Sequence, residues 1–188
     1  FFEMDAAGVA AGVAVLRAAG ENASASGYRW ALFALVADGG GSPDEWALVY
    51  QEARLAGDLE AGAAVCIAAV DATLGSGRGL DAWDAWRGRL ADLLVSGFDL
   101  PAPARAALHL RQGLIFLLQD GDAESAGRAA AAGLALVDAG QSQPLALALG
   151  ALAGFTDCLA GHLVRADVRL SDAALLCHCA ASGALPRA

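Results

Sequence analysis

Lysine is missing from this chain, and all 12 basic residues are arginine. That removes a Walker-type P-loop lysine, a Schiff-base lysine and a lysine-based nucleic-acid surface together. β-Branched residues are scarce too, with 2 Ile, 2 Thr and 11 Val in 188 residues. Against them stand 48 Ala and 29 Leu, so helix-favouring residues outnumber strand-favouring ones by about five to one. A sheet-rich fold is therefore not expected.

A basic charge balance is also lacking. The net charge is -9, and it is uneven: Phe1 to Leu94 carries 13 acidic and 6 basic residues, the remainder 8 and 6. Such a surface repels phosphate backbones, so no direct nucleic-acid partner is expected. No stretch is long enough for a membrane span. The mean hydropathy is +0.48, yet the longest charge-free run, Ala139 to Thr156, contains Gln141, Ser142, Gln143 and Pro144. Its apolar part, Leu145 to Phe155, is about half of the roughly 20 residues a span needs.

No secretory signal is expected either, because Phe1-Phe2-Glu3-Met4-Asp5 has no basic region and Arg17 follows the apolar stretch. Four cysteines without an export signal read as reduced packing residues, and the expected compartment is the cytoplasm. The start without Met and the end at Leu185-Pro186-Arg187-Ala188 suggest a segment of a longer polypeptide.

What the chain does have is 23 glycines that punctuate alanine- and leucine-rich helices. The first helix is expected from about Met4 to Ala19, with Val9, Val13 and Leu16 on one face, and the second from about Tyr28 to Asp38. Ser42-Pro43-Asp44-Glu45 is the clearest helix start: an N-cap Ser, Pro at N1, and Glu three residues after the cap. That helix reaches Gly57, and Asp58 opens another that ends at Gly75. A helix over about 80–96 carries Trp83, Trp86, Leu90 and Leu93 at core spacing. Further helices are expected from Pro103 to Gln119, Ala123 to Ala139, Pro144 to Gly161 and Val164 to Ala181. Short connections make neighbours antiparallel. The fold class is thus all-α, a single domain over 1–188 with hairpins at about 4–38, 43–74, 102–139 and 144–182 and an intervening helix at 80–96.

Three hairpins can be superposed in sequence. Each starts at a proline (Pro43, Pro103, Pro144), turns at a glycine (Gly57, Gly121, Gly161) and closes at another (Gly75, Gly140, Gly183). Five positions after each turn glycine comes a small residue, Gly62, Ala126 or Ala166, where a second helix must approach the first.

The run Gly121-Asp122-Ala123-Glu124-Ser125-Ala126, followed by Ala130 and Leu134, resembles the tetratricopeptide-like helical repeats. So does the hairpin holding Gly154, Ala166 and Ala173 at the family's three small positions. More broadly, Gly57 to Leu176 looks like the helical-repeat arm of large bacterial STAND-type signal-transduction ATPases and transcriptional activators. The chain departs from the repeat in its spacing, nearer 40 residues than 34, and in the absence of the usual closing proline. The resemblance implies hairpins stacked as a right-handed superhelix, an α-solenoid segment. It also implies a sensing or interaction arm, with ATPase and DNA-binding modules elsewhere.

Residues with chemical potential do not assemble into a catalytic set. Cys158, His162, Cys177, His178 and Cys179 are metal-ligand types, but Cys177 and Cys179 lie about 20 Å along the helix from the turn that holds the other two. Those two also point about 200° apart. They read as packing cysteines, and no metal or cofactor is implied. His109, His162 and His178 stand apart in sequence from any nucleophile motif. Gly75-Ser76-Gly77-Arg78-Gly79 follows a helix and reads as a linker. Trp83 and Trp86 read as core, with Asp81, Asp84 and Asp92 on the solvated face, paired locally with Arg87 and Arg89.

First helices of stacked hairpins line a concave face. Trp46, Tyr50, Arg54, His109, Gln112, Phe116, Phe155 and Asp157 are accordingly the candidates for exposed groove positions. The expected function is a non-catalytic protein-interaction or effector-sensing module of a cytoplasmic signalling or transcription regulator. Its partner would be another protein, the rest of its own polypeptide or a small effector. The alternative is a self-contained bundle that binds an apolar small molecule among Trp30, Phe33, Trp83, Trp86 and Phe116.

Overall fold

The computed structural model describes residues 43–75, 83–96, 99–137 and 143–182. The expected hairpin at 4–38, the linker after Gly75, Asp81, and the side chains of Cys177, His178 and Cys179 lie outside the described residues. Among those described there are seven helices and no strand, as the scarcity of β-branched residues requires. Contacts divide the chain into two compact units, Phe1–Gly97 and Phe98–Ala188.

In the first unit, α1 (Pro43–Leu55) packs on α2 (Leu59–Gly75), and α2 on α3 (Asp84–Ser96). Helix α1 begins at the proline that the sequence marks, with Asp44 and Glu45 in its first turn against the positive end of the helix dipole. Its buried stripe is Trp46, Val49, Tyr50 and Ala53, at i, i+3, i+4 and i+7. Helix α2 buries Val65, Cys66, Ala69 and Val70 and is apolar around much of its circumference, because neighbours cover it on two sides. Trp83, Trp86, Leu90 and Leu93 fill the remaining core, and the Trp83 indole donates to the Val70 carbonyl at 3.3 Å. Fully burying an aliphatic side chain of this kind contributes about 1.5–3 kcal/mol. The Trp residues are thus core, with Asp84 and Asp92 facing solvent. Arg89 lies over two aromatic rings, 4.6 Å from the Trp86 centroid and 5.4 Å from that of Tyr50.

The second unit holds α4 (Ala102–Leu118), α5 (Ala123–Leu134), α6 (Gln143–Leu159) and α7 (Leu163–Ser182). Successive helices pack together, and α4 also meets α6. Ala106 and Leu110 from α4, Ala130 from α5, and Leu149, Leu152 and Ala153 from α6 form the core. Alanine on one helix and leucine on the next allow close axes without voids. At Gly113 and Gly133 the approach is closest: a Cβ at Gly113 would lie 2.7 Å from Leu152 Cδ2 and 3.3 Å from the Ala126 carbonyl oxygen, and one at Gly133 2.7 Å from Leu149 Cδ2.

All three turn glycines adopt positive φ, +71° at Gly57, +68° at Gly121 and +77° at Gly161. At Gly57 the Asp58 amide donates to the Ala53 carbonyl and the Gly57 amide to that of Arg54, the paired bonds of a Schellman cap. Gly161 repeats the pattern with His162 to Asp157 and Gly161 to Cys158. The next helix starts at once: Asp58 Oδ1 accepts from the Ala61 amide and Asp122 Oδ1 from Ser125, each at 2.9 Å. The small residues expected after each turn, Gly62, Ala126 and Ala166, are all buried.

One helix ends earlier than its composition predicts. Helix α5 stops at Leu134, not near Ala139, and the chain passes through tight turns in which Leu136 bonds back to Gly133 and Val137 to Leu134. This change of direction lets Leu136 and Val137 pack on the core, a tertiary gain that overrides alanine's helix preference.

Candidate functional site

Two surface depressions flank α5. The larger, of about 460 Å³, is walled by α5, by the end of α6 and by the start of α7. Its organising residue is Asp157. The last turn of a helix is the negative end of its dipole, so a carboxylate that is only 8% exposed there requires compensating charge. The Schellman turn at Gly161 folds α7 back on α6 and brings that charge across. Arg169 Nη1 lies 2.8 Å from Asp157 Oδ2, Arg165 Nη2 3.5 Å from Oδ1, and His162 Nδ1 3.6 Å from Oδ1. The 2.8 Å contact is an ion pair without hydrogen-bond alignment, since Oδ2 accepts no hydrogen bond. Arg165 and Arg169 are four residues apart on one helix face and so act on the same carboxylate. Gly127, Ala131 and Ala160 keep the floor free of large side chains. On the far wall Arg128 is held by Glu124 and by the Ser125 hydroxyl.

The smaller depression, of about 280 Å³, lies between α4 and α5. His109, Gln112 and Phe116 come from α4, and Ser125, Arg128, Ala129 and Ala132 from α5. His109 Nδ1 is buried without a hydrogen-bond partner. Burial lowers the His109 pKa, opposed by its hydrogen bond with Gln112, and the nearby Arg105 lowers it further. The imidazole is therefore held toward its neutral form.

The eight groove candidates divide between the two units, three in the first and five in the second. His109, Gln112 and Phe116 are brought together in the smaller depression, and Asp157 lines the larger one. Trp46 and Tyr50 are not groove residues: they are core, 4% and 7% exposed. Helix α2 packs along α1, and Trp86 of α3 meets the Tyr50 ring edge-on at 6.0 Å between centroids, so the stripe is used in packing rather than left to a solvent-facing groove. Asp157 likewise is buried rather than exposed, because the two arginines close over it. Arg54 is exposed at the end of α1, and Phe155 is half-exposed on α6.

Sequence reasoning missed Arg128, Arg165 and Arg169. The available signal was Asp157, the turn at Gly161, then arginines at 165 and 169 on one helical face. Cys158 is exposed and Cys66 buried, both free thiols. Among the described residues no three His, Cys, Asp or Glu side chains are grouped as a metal site requires, and no helix is long and apolar enough to cross a membrane.

No protein-family model matches the chain, and neither a curated protein nor a solved structure shows significant similarity to it.

Proposed function

We propose that the chain is a non-catalytic interaction module, a tetratricopeptide-like α-solenoid segment serving a cytoplasmic signalling or transcription regulator. The observation that carries this reading is the convergence of His109, Gln112 and Phe116 in one groove on a hairpin built by a repeated turn. Helical-repeat modules recognise extended partners along such surfaces. A half-buried aromatic beside an amide and a neutral imidazole combines apolar anchoring with hydrogen bonding, as partner-binding hot spots do. The partner is another protein or a further part of the same polypeptide. Trp83 and Trp86, which the small-molecule alternative needs as cavity lining, are packed in the core of the first unit, and this favours the groove.

The test is site-specific photo-crosslinking from position 112 in the native host, with Phe116→Ala and His109→Ala as variants. A defined partner should crosslink and be lost in both variants while their helical circular dichroism stays intact. Equal crosslinking in all three proteins would overturn the assignment of the groove.

A further inference from the structure

The cleft between α5, α6 and α7 carries a charge arrangement that packing alone does not require. On the α7 side two guanidinium groups share one carboxylate, Asp157, at 2.8 and 3.5 Å. One negative charge cannot neutralise two fixed positive ones, and His162 stands beside the same carboxylate. Glu124 across the cleft is already engaged by Arg128. The α7 wall therefore carries one more positive than negative charge, in a chain whose net charge is -9, while on the α5 wall Glu124 and Asp122 offset Arg128.

That excess faces accessible space. The Arg165 and Arg169 side chains are 58% and 37% exposed, and a cleft of about 460 Å³ lies before them. A water molecule occupies roughly 30 Å³ in the liquid, so the space admits a much larger group. Asp157 is fixed by its place in the Schellman turn and holds both guanidinium groups in position without consuming all of their ten N–H donors. The start of α7, at His162 and Arg165, also borders the cleft and has no acidic residue in its first turn, so its dipole adds positive potential, whereas the start of α5 is already met by Asp122 and Glu124. Arg128 approaches from a different helix, so donors surround the space on two sides, which suits a tetrahedral acceptor better than a planar one.

We propose that this cleft binds a phosphate group, free or carried by a small molecule, through Arg165 and Arg169 with Arg128 opposite. The cleft and the proposed α4/α5 groove have Arg128 in common, whereas Arg165 and Arg169 line the cleft and not the groove, so substitutions at those two test the cleft independently of the groove.

The experiment is isothermal titration of the full chain with inorganic phosphate and with phenyl phosphate at constant ionic strength, repeated on Arg165→Gln, Arg169→Gln and, as a control outside the cleft, Arg111→Gln. Circular dichroism of each variant checks folding. Saturable binding that weakens about tenfold or more in Arg165→Gln and Arg169→Gln, with Arg111→Gln unchanged, is the expected result. Tighter binding of phenyl phosphate identifies a carried phosphate, and equal binding a free one. Sodium acetate binding as tightly as phosphate through the same arginines would overturn the phosphate assignment. Unaltered phosphate binding in both cleft variants, or no saturable binding by the wild type, would overturn the site.

Discussion

Two cysteines show how far one side-chain type is governed by its surroundings. Cys66 is enclosed between α1 and α3, where burial pushes its thiol up to about 12, against smaller opposing effects of Arg89 and Arg54. Cys158 is exposed at the end of α6. Since the thiolate is the nucleophile, brief iodoacetamide treatment at pH 8 followed by peptide mapping should modify Cys158 and spare Cys66 until denaturant is added. Stability should follow the same asymmetry. The folded-state pKa of Cys66 lies above that of the unfolded chain, so the unfolded thiol loses its proton first as pH rises. Its contribution is complete below about pH 9 and is lost as pH climbs toward 12. Burial raises Tyr50 in the same direction. Urea midpoints measured across this window should fall less steeply in Cys66→Ala than in the wild type.

Helix-level features divide into those that local chemistry determines and those that neighbours impose. The turns at Gly57, Gly121 and Gly161 were readable because a positive φ leaves few alternatives to glycine, and at the first two the Asp that follows is a helix cap. The buried positions Gly62, Ala126 and Ala166 follow from the same spacing. Burial of Trp46 and Tyr50 was not readable, since an apolar stripe at i, i+3, i+4 and i+7 has the same pattern whether it lines a groove or meets another helix. Nor was the early end of α5, where the sequence stays rich in helix formers. The Asp157–Arg169 pair is hidden by a turn between its members. Glycines inside helices supply a test of packing against propensity. A Cβ at Gly88 would meet nothing within 4 Å, so Gly88→Ala should raise stability by about 0.5–1 kcal/mol. At Gly113 the same change forces a methyl against Leu152 and the Ala126 carbonyl and should lower it by about 1–3 kcal/mol. Urea unfolding of both variants would show opposite shifts, and matching signs would contradict this packing.

For the whole molecule, the described helices partition into units that each carry their own core, Trp83 and Leu93 among the fillers of one and Leu110 and Leu149 of the other. A unit with its own core should fold alone. Residues 98–188 expressed separately are expected to be helical by circular dichroism and to melt in one cooperative step; a broad, gradual loss of signal would show that the second unit depends on the first. The division also determines what light can report. All 4 Trp and both Tyr lie before residue 98, so the second unit offers only Phe98, Phe116 and Phe155 as chromophores. Indole emission thus follows the first unit alone, and absorbance at 280 nm is nearly blind to the cleft and the groove.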